Sequence, residues 1–151
     1  MQEMNRADLE NLLELDEEDL TVQLGLRSQD WQNTGEAVDS LDDLPVPRGD
    51  FDDLLKSGQD FFEPLSGNAY KILCSDIGAN SDLAKELSKL MDQKTTEAAT
   101  QMTSLITPLL VGNIGLPSSI AVVVATLIVK KIAKGTSDLV CTNWQSSLKI
   151  T

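Results

Sequence analysis

The chain has 151 residues, with 24 acidic and 12 basic side chains, no histidine and a net charge of −12. The length suits one ordinary domain. The missing histidine excludes Ser-His-Asp and Cys-His catalysis and, with two cysteines, Cys/His zinc sites; the acidity excludes a duplex nucleic-acid binder, which needs a basic face for phosphates.

The charge is uneven. Residues 1–63 carry 18 acidic and 4 basic side chains, whereas residues 64–151 carry 6 and 8. Such asymmetry points to an interaction segment rather than a catalytic one. The first 20 residues are acidic and hold no apolar run. The expectation is therefore no secretory signal and a cytoplasmic location. Hydrophobic residues make up 41% and aromatics 4%, so a core is affordable and must be mainly aliphatic.

Taken in chain order, residues 5–26 read as two short helices. Asn5 can cap the first, with Leu9, Leu12 and Leu13 on one face. Asp16 can cap the second, with Glu17, Glu18 and Asp19 at the positive end of the helix dipole and Leu20, Val22 and Leu24 apolar. Gly25 predicts that its end is near. Neither piece is long enough to stand alone in water, so each must dock. Residues 28–49 lack periodicity and contain Gly35, Pro45, Pro47 and Gly49, which predicts an acidic linker and a domain boundary. Trp31 stands alone in it, either covering apolar surface or anchoring a partner.

From Phe51 to Leu73 a helical stripe appears, with Asp50 as candidate cap and a kink or break expected at Pro64. Residues 75–81 read as a turn. Asn80 or Ser81 then caps an amphipathic helix whose stripe is Leu83, Leu87, Leu90, Met91, Ala98, Met102 and Leu105. No charge occurs between Glu97 and Lys130. Within that run, residues 112–115 read as a turn. Residues 118–134 read as one helix between Pro117 and Gly135, a C-terminal cap position, with Lys130, Lys131 and Lys134 at its negative end. It is apolar all round from Ile120 to Val129, including Val123, Val124, Leu127 and Ile128. That pattern belongs either in the middle of a bundle or in a membrane. Its many β-branched residues favour a strand, but its length favours a helix. A last helix over 136–148 carries Leu139, Val140, Cys141, Trp144 and Leu148, capped by Thr136 or Ser137.

These elements predict an all-α fold. It comprises about four helices over residues 50–148 around the central helix 118–134, preceded by an acidic short-helix segment (1–27) and a linker (28–49). Motifs for chemistry are absent. Cys74 and Cys141 lie on apolar stripes with no C-x-x-C pair, and are expected to be inert buried thiols; a disulfide would require them to meet in space. The acidic runs at 16–19 and 50–53 do not match a calcium loop, and Gly112-Asn113-Ile114-Gly115 matches no phosphate-binding loop. No enzyme activity, cofactor or metal is expected.

The sequence therefore predicts a non-enzymatic accessory protein that contacts another protein with a basic surface. It would dock through the N-terminal segment, with Leu9, Leu12, Leu13, Leu20, Leu24 and Trp31 as anchors. Two other readings fit parts of the chain. One is a toxin-like or defence effector that inserts helix 118–134 into a membrane when triggered. The other is an acidic mimic of nucleic acid, which would occupy a basic cleft without itself binding nucleic acid.

Overall fold

A computed structural model describes residues 12–36, 49–76, 82–135 and 140–147. The described residues are all-α. The helices are α1 (Glu17–Thr34), α2 (Phe51–Tyr70), α3 (Asp82–Gln93), α4 (Thr96–Leu109), α5 (Ser118–Ala133) and α6 (Val140–Ser147). π-Helical turns continue α2 over Lys71–Asp76 and α4 over Leu110–Ile114.

Helix α5 occupies the middle. All residues from Ser119 to Val129 are buried, Ile120, Val123, Val124, Leu127 and Ile128 among them. It touches α1, α2, α4 and α6, so each of its sides meets another helix. An all-round apolar surface loses its contact with water in this arrangement, which is the main driving force available to the fold. The β-branched residues are accommodated in the helix because packing on every side outweighs their weak local preference. Buried threonines within this interior satisfy themselves. Thr126 Oγ1 donates to the Val122 carbonyl at 2.8 Å, and Thr103 and Thr107 donate to the carbonyls of Ala99 and Thr103 at 3.0 and 2.7 Å.

Helix α1 departs most from the sequence expectation. It begins as expected, with Asp16 Oδ1 accepting from the Asp19 amide at 2.8 Å. It then runs through Gly25 and through the expected linker boundary at residue 28, ending at Gly35 in the left-handed region with φ 76°. Gly25 does not end the helix; it lets α2 approach. A Cβ on Gly25 would fall on the Leu54 carbonyl, and one on Gly58 would fall on the Thr21 carbonyl. The two helices thus meet backbone to backbone through a reciprocal glycine contact. Trp31 lies in α1 rather than in a loop, half-buried and edge-on to Phe61 with ring centroids 6.5 Å apart.

Other boundaries also shift. Helix α2 passes through Pro64 without breaking, because Pro64 is on the exposed face, where water can satisfy the carbonyl it leaves unbonded. The long stripe of residues 83–105 is two helices, not one. Lys94 takes φ 55°, and Thr95 caps α4 by accepting from the Ala98 amide at 3.0 Å. Leu87, Leu90, Ala98 and Met102 of that stripe are nonetheless all buried. Residues 112–114, expected in a turn, instead continue the helix as part of the π-helical turn, which ends at Gly115 with φ 85°. Gly135 is not the cap of α5; Lys134 is, and Gly135 is required because a Cβ there would meet the side chain of Asn143. The caps proposed at Asn5, Asn80, Ser81, Thr136 and Ser137 lie outside the described residues.

Candidate functional site

A cleft opens where the start of α1, the middle and end of α2, and the end of α5 converge, with a volume of about 1140 Å³. Leu55, Phe62, Tyr70 and Ala133 give it apolar surface. Its charges fall on two sides. Asp16, Glu17, Glu18 and Glu63 come from α1 and α2, and Lys130, Lys131 and Lys134 come from α5, with Lys71 just beyond α2.

Local structure explains each position. Asp16 is the cap of α1, and Glu17 and Glu18 sit in its first turn, where the dipole favours acid. Lys130 and Lys131 occupy the last turn of α5, where it favours base. Packing α1 beside α5 brings one start against the other end. Glu17 is therefore held by two lysines at that end, Lys131 and the capping Lys134: Oε1 lies 3.1 Å from Lys131 Nζ, and Oε2 pairs with Lys134. Burial pushes the Glu17 carboxyl up, but hydrogen bonds from Lys134 and Lys131 and their positive charge together outweigh it, so its pKa falls below the ordinary value of 4.5. Lys131 Nζ also stands 5.6 Å from the centre of the Phe62 ring, within cation–π range. Asp16, Glu18 and Glu63 are exposed.

Helix α6 supports the far end of the cleft. Trp144 is fully buried, and its Nε1 donates to Ser66 Oγ at 3.0 Å. Its ring meets Tyr70 edge-on at 6.0 Å. Ser66, Gly67, Tyr70 and Ser147 all line the cleft. Cys141, in the first turn of α6, is disulfide-bonded rather than a free thiol, and Cys74 in the turn after α2 is the chain's other cysteine. For Cys141 the expectation of an inert buried thiol is corrected: it is buried but not free.

Of the residues singled out as partner anchors, Leu12, Leu20 and Leu24 are buried in the chain's own core. Leu13 and Trp31 are half-buried against it. Leu9 lies outside the described residues. The leucines are consumed internally because α5 needs covering on every side, and α1 supplies one of those sides. None of the five described anchors lines the cleft; Leu13 borders a second cavity of about 740 Å³ near the α3–α4 junction, with Met91 and Met102. What the N-terminal segment contributes to the cleft is its acidic first turn. Phe62, Glu63 and Tyr70 were not singled out, and their only sequence signal was membership of the α2 stripe or its polar flank.

Among the described residues, no three His, Cys, Asp or Glu side chains are grouped to hold a metal ion, and no helix is long and apolar enough to cross a membrane. The chain matches no protein-family model, no curated protein and no solved structure.

Proposed function

We propose that this chain is a non-enzymatic helical accessory protein that binds another protein, receiving a basic amphipathic segment of that partner in the cleft between α1, α2 and α5. One observation carries the reading: apolar surface from Leu55, Phe62 and Tyr70 lies beside the exposed carboxylates of Asp16, Glu18 and Glu63. Helix-in-groove recognition uses this combination, an apolar face for affinity and flanking charge for orientation. Glu17 already engages Lys131 and Lys134. The remaining carboxylates on the α1–α2 side are the ones an incoming basic edge would meet. The net charge of −12 would speed its approach and make it salt-dependent. The location proposed with this reading is the cytoplasm, on the sequence grounds given above.

The test is calorimetric titration of the intact chain with a designed Leu–Lys amphipathic peptide and with its Leu–Glu counterpart. The Leu–Lys peptide should bind, more weakly as salt is raised, and the Leu–Glu peptide should not. Glu18→Lys with Glu63→Lys should weaken binding by about tenfold or more. Asp52→Lys with Asp53→Lys, outside the cleft, should change it far less. Equal loss in both double variants would mean that net charge alone drives binding, and the cleft assignment would fail.

A further inference from the structure

We propose that the disulfide at Cys141 is a redox latch on the cleft: reduction releases α6 and lowers affinity for the partner segment. The proposal rests on the cleft reading above and adds its regulation.

Helix α6 has eight residues, too few to be stable by itself. Its place depends on what holds it. Val140, Cys141 and Trp144 are buried, the Val140 amide donates to Ser88 Oγ at 3.1 Å, and Trp144 Nε1 donates to Ser66 Oγ at 3.0 Å. The disulfide is the one covalent tie given to this short element, three residues from the tryptophan that backs the cleft wall. Losing it leaves an eight-residue helix held by a few side chains. Trp144 then withdraws from Ser66 and Tyr70, and both of those residues line the cleft.

The redox role rests also on the cytoplasmic location proposed above, where thiols are kept reduced. In a reducing compartment a disulfide does not persist as a passive staple; where one occurs it is usually formed and broken in use. Cys141 is 9% exposed, so a small thiol reaches it through brief local opening. The step is a two-electron exchange. A low-molecular-mass thiol attacks the disulfide as thiolate, one cysteine sulfur leaves and takes a proton, and a second thiol resolves the mixed disulfide. The protein ends with two thiols and the reductant as its own disulfide.

The experiment uses the full chain carrying Trp31→Phe, which leaves Trp144 as the sole tryptophan. Oxidised and dithiothreitol-reduced samples are compared by tryptophan emission, far-ultraviolet circular dichroism and titration with the Leu–Lys peptide, and Cys141→Ser serves as a permanently unlatched form. Reduction should shift Trp144 emission to the red, retain most of the helical signal and weaken peptide binding by about tenfold, with recovery on reoxidation. Unchanged emission, or unchanged affinity in the reduced form, overturns the latch while leaving the cleft reading in place. Loss of the whole helical signal also overturns it, because the disulfide would then be a structural staple. If the oxidised form does not bind the peptide, the cleft reading fails and the regulation falls with it.

Discussion

Helices α1 and α5 lie against each other in the core but come to it by opposite routes. Helix α5 is apolar on every side and is buried because no face of it suits water. Helix α1 is acidic at its start and polar through much of its length, yet Leu20, Val22, Leu24, Arg27 and Ser28 are all buried. It is held by a glycine-mediated backbone contact with α2 on one side and by aliphatic packing on α5 on another. A fully apolar helix thus creates a demand for cover, and a helix with modest hydrophobicity can meet that demand if its backbone comes close enough.

Five substitutions probe this contrast. The largest effect belongs to α5. Leu127→Asp places a carboxylate at a fully buried position, and we expect loss of cooperative thermal unfolding and of the near-ultraviolet dichroism. Next comes Leu24→Ala in α1, expected to cost about 2–5 kcal/mol by urea denaturation, as for any core leucine. A cost below about 0.5 kcal/mol would return α1 to the status of a peripheral extension. Gly58→Ala should cost about 1–3 kcal/mol by forcing α1 and α2 apart. Gly67→Ala, in the same helix with open space around it, should be neutral or stabilising by under about 1 kcal/mol.

A similarly small effect is that of Glu17→Gln, expected to cost under about 1 kcal/mol because the ion pairs are partly exposed. Its sign depends on pH. The folded state lowers the Glu17 pKa below 4.5, so the contribution is fully present above pH 4.5 and disappears as pH falls through the folded value. Melting temperatures of the parent and the variant should therefore differ at neutral pH and converge in acid.

The fold class, the helix at 118–134 and its central burial were legible from composition and period. An uncharged run bounded by Pro117 and lysines admits few other structures in an aqueous protein. The break at Lys94–Thr95 was less legible, because the apolar stripe continues in phase across it and only the threonine cap marks the interruption. The persistence of α1 past Gly25 was not legible. A glycine in a helix reads locally as a weakness, and its value here lies in a contact with residues about thirty positions away. The cleft was half legible. Its charged rim follows from dipole-matched ends of two helices, but which ends would adjoin is a matter of tertiary packing. That Leu12, Leu20 and Leu24 are covered by the chain itself was not legible for the same reason: an amphipathic face shows that something covers it, not what.

Helix α5 spans about 24 Å at 1.5 Å per residue, short of the roughly 30 Å of a bilayer's hydrocarbon core. Its apolar surface is already matched by its neighbours, and α1 is one of them. The central claim is that α1 is an integral part of this core, so that the acidic turn it carries is fixed against the end of α5. Native-state hydrogen exchange measures this directly. The account predicts that the amides of Leu24 and Arg27 in α1 exchange only through global unfolding, with the same free energy as those of Val124 and Leu127 in α5. Exchange of the α1 amides orders of magnitude faster, through a local opening that leaves α5 protected, would contradict it.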